Sequence, residues 1–132
     1  MKNACRLVYV TVFSAALALL GGCAGLGSSD GNGKRAAVVS AALSQVGTPY
    51  RYGGNQPGRG LDCSGLTRYA YQKAGVTIPR MSLDQFRAAR PVDPNALRPG
   101  DLVFFATSPG VHHVGLMVDP ERFVHASTGQ RK

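Results

Sequence analysis

No stretch of this chain has the roughly twenty consecutive apolar residues that a comfortable membrane span needs. The longest apolar run, Leu7 to Leu20, is fourteen residues. Acidic residues are scarce, 7 against 15 Lys and Arg, giving a formal charge of +8. The arginines are spread along the chain rather than clustered, which argues against the basic stripe of a nucleic-acid binder. There are three cysteines in 132 residues, with no C-x-x-C and no H-x-x-x-H. The short-spaced zinc patterns are therefore missing. No internal repeat is visible, so a solenoid or array is excluded.

The N-terminus carries Lys2 and Arg6 with no acid before the apolar run, which has the length of a signal-peptide core. Leu20-Gly21-Gly22-Cys23 follows, with small residues where a signal peptidase cuts. The combination resembles a bacterial lipoprotein box. Residues 1–22 are then the signal peptide and Cys23 is the lipidated N-terminus of the mature chain. An ordinary secretory signal is the alternative, and either implies export. Ala24 brings no acidic retention signal, which favours an outer membrane, facing the periplasm, over an inner one. Losing Lys2 and Arg6 leaves thirteen basic against seven acidic residues, a formal charge of +6. Such a domain suits an anionic partner, either carboxylate-rich wall peptides or lipid head groups. Ala24 to Gly33 is too polar and glycine-rich to pack and reads as a tether with an r.m.s. span of about 17 Å. Residues 34–132 form one small domain with a single modest core.

Along that domain, Ala36 to Val46 places Val38, Val39, Ala42, Leu43 and Val46 at helical spacing, with Gly47 to close it. Thr48 to Leu61 is glycine- and proline-rich and reads as a loop holding Tyr50 and Tyr52. Asp62 caps a second helix, Cys63 to Ala74, with Leu66, Tyr69 and Ala70 inward and Gly75 as its stop. Ser82-Leu83-Asp84-Gln85 is a capping-box pattern opening a short helix to about Ala89. Leu102 to Phe105, His113 to Val118 and Arg122 to Ala126 read as strands. Helices first and an antiparallel sheet after them make an α+β layout.

Once the N-terminal segment is set aside, Cys63 is the only unmodified thiol, so it has no disulfide partner in its own chain. A thiol with a pKa near 8.5 is only a few per cent thiolate at neutral pH and needs activation to attack a carbonyl. The first turn of a helix supplies free N–H groups and a positive dipole end. If Asp119–Glu121 is a three-residue turn, Val118 faces Arg122 and Gly115 faces His125. His113 then shares a face with His125, one diagonal step away. His113 becomes the candidate base, and His125 the group that orients it. Two readings stay open beside this one: zinc held by Cys63, His113 and His125, and a purely structural thiol with two ordinary histidines.

Five ordered segments carry a resemblance: Thr48-Pro49-Tyr50-Arg51-Tyr52-Gly53-Gly54, Leu61-Asp62-Cys63-Ser64-Gly65-Leu66, Arg98-Pro99-Gly100-Asp101-Leu102-Val103-Phe104-Phe105, His113-Val114-Gly115 and Phe123-Val124-His125-Ala126. Together they resemble the NlpC-type cell-wall cysteine peptidases over about Lys34 to Thr128. The resemblance implies a papain-like α+β fold, N-terminal helices on a small antiparallel sheet, with Cys63 as nucleophile, His113 as base and His125 as third polar residue. It implies that Tyr50 and the Ser64 amide serve the oxyanion, that Asp62 is a helix cap, and that no metal or organic cofactor is used. Arg80 reads as a surface arginine, with a substrate-carboxylate clamp as its sharper alternative. The implied partners are peptidoglycan stem peptides, commonly at D-Glu to diaminopimelate bonds, and a membrane through Cys23; nucleic acid is not among them, and the molecule is expected to be a monomer. Family domains run on past the His-Ala-Ser segment, whereas this chain stops at Lys132, so an uncovered sheet edge and a weakly active or inactive wall-binding lipoprotein form the rival expectation. An acyltransferase on the same fold is a further one.

Overall fold

The computed structural model describes residues 26–106, 110 and 112–128. The expected signal peptide and lipidated Cys23 lie outside them. Contacts divide the chain between Gly33 and Lys34 into two compact units. Helix α1, Leu26–Leu43, begins ten residues before the expected start at Ala36, taking Leu26 to Gly33 into the helix where a tether was expected. Once a helix is nucleated, each further residue adds one hydrogen bond, so even a glycine-rich stretch can extend it. At its other end α1 stops at Leu43 rather than Val46. The backbone then tightens into three-residue turns, Gln45 N to Ala42 O and Val46 N to Leu43 O, before Gly47 at φ +93°. Leu43 and Val46, expected on the buried face, are exposed, Val46 lying in the tightened turns beyond the helix end.

The segment read as a loop contains a small hairpin. Strands β1 (Asn55–Gln56) and β2 (Gly60–Leu61) pair antiparallel. Pro57-Gly58 makes the turn, with Gly58 at φ +71° and Arg59 N bonded to Gln56 O, the Pro-Gly arrangement of a type II turn. Helix α2, Cys63–Lys73, starts on Asp62 as expected, and Gly75 at φ +77° follows its end. Its Leu66 and Ala70 are buried, but Tyr69 is only half-buried.

Helix α3, Ser82–Ala88, is capped by the backbone of Met81, without a side-chain cap bond. The reason lies with Gln85, expected to reach back in a capping box. It is buried instead, taking a 2.8 Å bond from Thr67 Oγ1 and donating to the Ser64 and Pro79 carbonyls. Those bonds tie α3 to α2.

Strands β3 (Leu102–Phe105), β4 (His113–Met117) and β5 (Phe123–Val124) form an antiparallel sheet in the order β3-β4-β5. Helix α2 packs on the central strand β4. One apolar cluster joins Val38 and Ala42 of α1 to Ala70 and Leu116; a second joins Leu61 and Leu66 to Ala126, with Tyr50 and Val124 against it. Burying these aliphatic side chains is worth about 25 cal/mol per Å² of apolar surface removed from water. The result is the α+β architecture read from the sequence.

Candidate active site

The register of β4 and β5 pairs Leu116 with Val124 and Met117 with Phe123, and Val118 N bonds Arg122 O at 2.9 Å. That is the alignment a three-residue Asp119–Glu121 turn requires. Asp119 builds the turn by accepting from the Glu121 and Arg122 amides and from the Arg122 guanidinium. His113 and His125 consequently meet, with Nε2 of His113 2.7 Å from Nδ1 of His125. At that distance one imidazole donates and the other accepts, so at least one ring must be neutral.

Aromatic rings that the sequence reading did not single out hold the pair. Phe123 lies 5.2 Å from His125 and 5.4 Å from Phe105, and Phe105 lies 5.8 Å from His113, centroid to centroid. Gly115 makes room for this wall: a Cβ there would sit 2.7 Å from the Phe123 ring. Burial first, then the neighbouring His125, holds the His113 imidazole below its ordinary value of 6.5 and favours its neutral form.

The packing shows which end of the sheet the histidines occupy. Ala70, late in α2, packs with Leu116, whereas Leu61 and Leu66, flanking Cys63, pack with Ala126, the residue after His125. The sheet end that carries the histidines therefore lies beside the Cys63 end of the helix. Their rings share the Phe105, Gly115 and Phe123 face, opposite the Leu116 and Val124 face packed on the helix. Cys63 is a half-buried free thiol. It is related to the histidine pair through the packing of its helix rather than through a hydrogen bond.

Tyr50 reaches the same place from the other side. The segment around it is laced to Leu61, with Arg51 N donating to Leu61 O and Leu61 N to Pro49 O. Burial first, and then the charges of Cys63 and Asp62, raise the Tyr50 phenol, which keeps it a hydroxyl donor. Ser64 is buried at the second helical position, where the amide has no intrahelical partner by geometry.

Arg80 corrects the sequence reading. It is neither a surface arginine nor open to a substrate carboxylate, because its guanidinium is already engaged. Nη1 and Nη2 donate to the two Asp62 carboxylate oxygens at 2.9 Å each, and Arg80 also bonds Ser64 Oγ and the Gly54 carbonyl. Asp62 accepts in addition from the Gly65 amide at 2.7 Å and from the Gly53 amide. The helix cap is thus one corner of an ion-pair network that fixes the chain on both sides of Cys63. Charge-assisted, two-pronged bonds of this kind are the strong ones. Gly65 is required here, since a side chain would run into the Gly54 carbonyl.

Among the described residues no three His, Cys, Asp or Glu side chains are grouped to hold a metal ion.

Helices on a small antiparallel sheet, with a thiol at a helix start and a histidine pair at one end of the sheet, define an α+β domain. The chain belongs to the NlpC/P60 family, whose pattern matches residues 47–132. It is similar to a probable endopeptidase of Mycobacterium tuberculosis, 44% identical over 96 residues, covering 73% of this chain and 24% of the relative. The gamma-DL-glutamyl hydrolase of Bacillus subtilis is 37% identical over 97 residues, covering 71% of this chain and 24% of the relative. This chain therefore spans about a quarter of the length of these curated relatives. Among solved structures it is similar to RipD of Mycobacterium tuberculosis, described as a non-catalytic NlpC/p60 domain protein adapted to peptidoglycan binding. That match has a TM-score of 0.64 at 28% identity, covering 71% of this chain and 81% of the other.

Proposed function

We propose that this chain is a lipid-anchored cysteine endopeptidase of the bacterial cell wall that hydrolyses an amide in peptidoglycan stem peptides. The observation that carries the reading is the 2.7 Å His113–His125 pair at the sheet end beside the start of the Cys63 helix. In this reading the Cys63 thiolate attacks the amide carbonyl, and the negative charge on oxygen is met by the Tyr50 hydroxyl and the Ser64 amide. His113, neutral at rest, takes the Cys63 thiol proton and passes it to the leaving amine. It then takes a proton from the water that attacks the acyl-enzyme and returns it to the departing Cys63 sulfur. His125 keeps the His113 ring in one tautomer and orientation. The name of the Bacillus subtilis relative favours a γ-glutamyl linkage as the bond cut. No cofactor enters the scheme, and the enzyme acts as a monomer, tethered by lipid on Cys23 at an outer membrane facing the periplasm.

The similarity to RipD favours a second reading, a wall-binding domain without catalysis. One experiment separates the two. Peptidoglycan is incubated with the protein and with its Cys63→Ala variant, and soluble fragments are weighed by mass spectrometry. Fragments that depend on Cys63 are expected, and their masses name the bond. Sedimentation with the wall but no fragments, from a protein with folded circular dichroism, would leave the binding reading standing. New amide products in place of free acid would point to acyl transfer.

A further inference from the structure

Helix α2 carries a second feature, on the face turned toward the β1–β2 hairpin. A cleft of about 450 Å³ opens there, lined by Asn55 and Pro57 of the hairpin segment and by Arg68, Tyr69, Gln72 and Lys73 of the helix. Gly65, two residues after Cys63, also lines it. Residues 65, 68, 69, 72 and 73 follow one helical face, distinct from the one that buries Leu66 and Ala70.

Two properties distinguish this cleft from an ordinary solvated groove. Its charged lining is entirely basic, Arg68 and Lys73, with no acidic residue among the lining side chains. Arg68 Nε is also buried and has no hydrogen-bond partner among the described residues. A guanidinium N–H removed from water without an acceptor is unfavourable, so Arg68 gains from any acceptor, water or ligand, that its part-buried side chain can turn to meet in the cleft. The Lys73 ammonium, 5.6 Å from the Tyr69 ring centre, sets a second positive charge on the same wall. Asn55 and Gln72 add amide groups suited to a peptide backbone.

We infer that this cleft is an accessory binding site for a carboxylate-bearing peptide, with Arg68 and Lys73 receiving the carboxylate. A planar fork of donors matches a carboxylate, and the volume lies within the range of peptide- and ligand-sized pockets rather than that of a single ion. The site rests on the wall-peptide reading for the source of that carboxylate. It would let the protein hold one stem peptide on α2 while another enters the Cys63 site.

The test uses the full chain carrying Cys63→Ala, so that binding is read without turnover. A soluble wall tetrapeptide with free carboxylates, the same peptide with its carboxylates amidated, and inorganic phosphate are each titrated in. The readout is the proton–nitrogen NMR signal of the Arg68 Nε–H group. The free-carboxylate peptide is expected to move that signal saturably. The amidated peptide should bind about tenfold or more weakly, the worth of one charge-assisted contact. An Arg68→Gln, Lys73→Gln double variant, shown folded by circular dichroism, should lose affinity to the same degree. If that variant fails to fold, the titration of Arg68 itself decides. No movement of the signal, or equal affinity for the amidated peptide, overturns the site. Phosphate binding as tightly as the peptide overturns the peptide assignment. Cys63-dependent cleavage is measured separately with the unsubstituted protein, so failure of the hydrolase reading and failure of this site give different results.

Discussion

At the residue scale the proposed chemistry rests on a hydrogen bond between two imidazoles 2.7 Å apart. Burial and His125 hold His113 below its ordinary 6.5. Between that lowered value and 6.5 the unfolded chain binds a proton that the native chain does not. Native stability from this group is therefore present above 6.5 and is lost as pH falls through the folded value. Urea unfolding followed from neutral pH downward through the ordinary value should show stability falling toward acid. His113→Phe should flatten that part of the profile; an unchanged slope in the variant would assign the loss to other groups. Replacing His113 by Ala should cost cleavage about a hundred- to ten-thousand-fold, the usual range for a positioned acid–base group. His125→Asn, which keeps an acceptor beside the ring, should cost less than His125→Ala. Equal losses would remove the orienting role. These comparisons need only rates on peptidoglycan fragments.

Arg80 belongs to the same scale. Its pair with Asp62 is mostly shielded, with side-chain exposures of 26% and 13%, so the pair is not a solvent-screened surface bridge. Arg80→Met leaves the buried Asp62 carboxylate without its counter-charge. The expected loss is about 2–4 kcal/mol, at or below that for fully buried pairs, measured by denaturant unfolding. A loss near zero would mean the Gly53 and Gly65 amides alone satisfy Asp62. The sequence could not reveal this partnership. Asp62 before a helix reads as a cap from local spacing, and it is one, but its counter-charge comes from eighteen residues away. Nothing in helical or strand periodicity marks a contact across that distance.

At the scale of elements, the β4–β5 unit was the most legible part of the chain. Strand period and the length of the Asp119–Glu121 turn together set the register, and the register alone brings the histidines to one face. The wall behind them was not legible, because Phe123 crosses to Gly115 and Phe105 through tertiary packing. Gly115→Ala should therefore push the Phe123 ring off its place. A stability loss of about 1–3 kcal/mol is expected, typical of overpacking, together with reduced cleavage as His125 loses its support. Heteronuclear NMR of the two imidazoles would report the displacement; unshifted imidazole signals with wild-type cleavage would make the ring wall passive. The hairpin at Pro57-Gly58 carried a readable turn signal, yet its strands are two residues each, too short for an alternating pattern. Gln85 misled for a related reason. Its spacing from Ser82 suits a capping box, but a buried amide takes the stronger set of partners offered by Thr67, Ser64 and Pro79.

On the scale of the whole molecule, the proposed anchor at Cys23 gives a direct prediction. Cys23→Ser should prevent incorporation of radiolabelled palmitate and move the protein from the membrane fraction to the soluble one. Retention of label would place the lipid elsewhere, and absence of label in the unsubstituted protein would end the lipoprotein reading. The sequence by itself determined the helices-then-sheet order of the larger elements, the start of the Cys63 helix, the histidine register for a three-residue turn, and the α+β class. Each follows from local rules acting within a turn of helix or a hairpin, where the chain has few alternatives. Only the tertiary structure decided that Arg80 locks the cap, that Phe123 and Phe105 back the histidines, that Gln85 ties two helices and that α2 carries a basic cleft. Those features join residues far apart in the chain, and which partners meet depends on the free energy of the packed whole, not on any local segment.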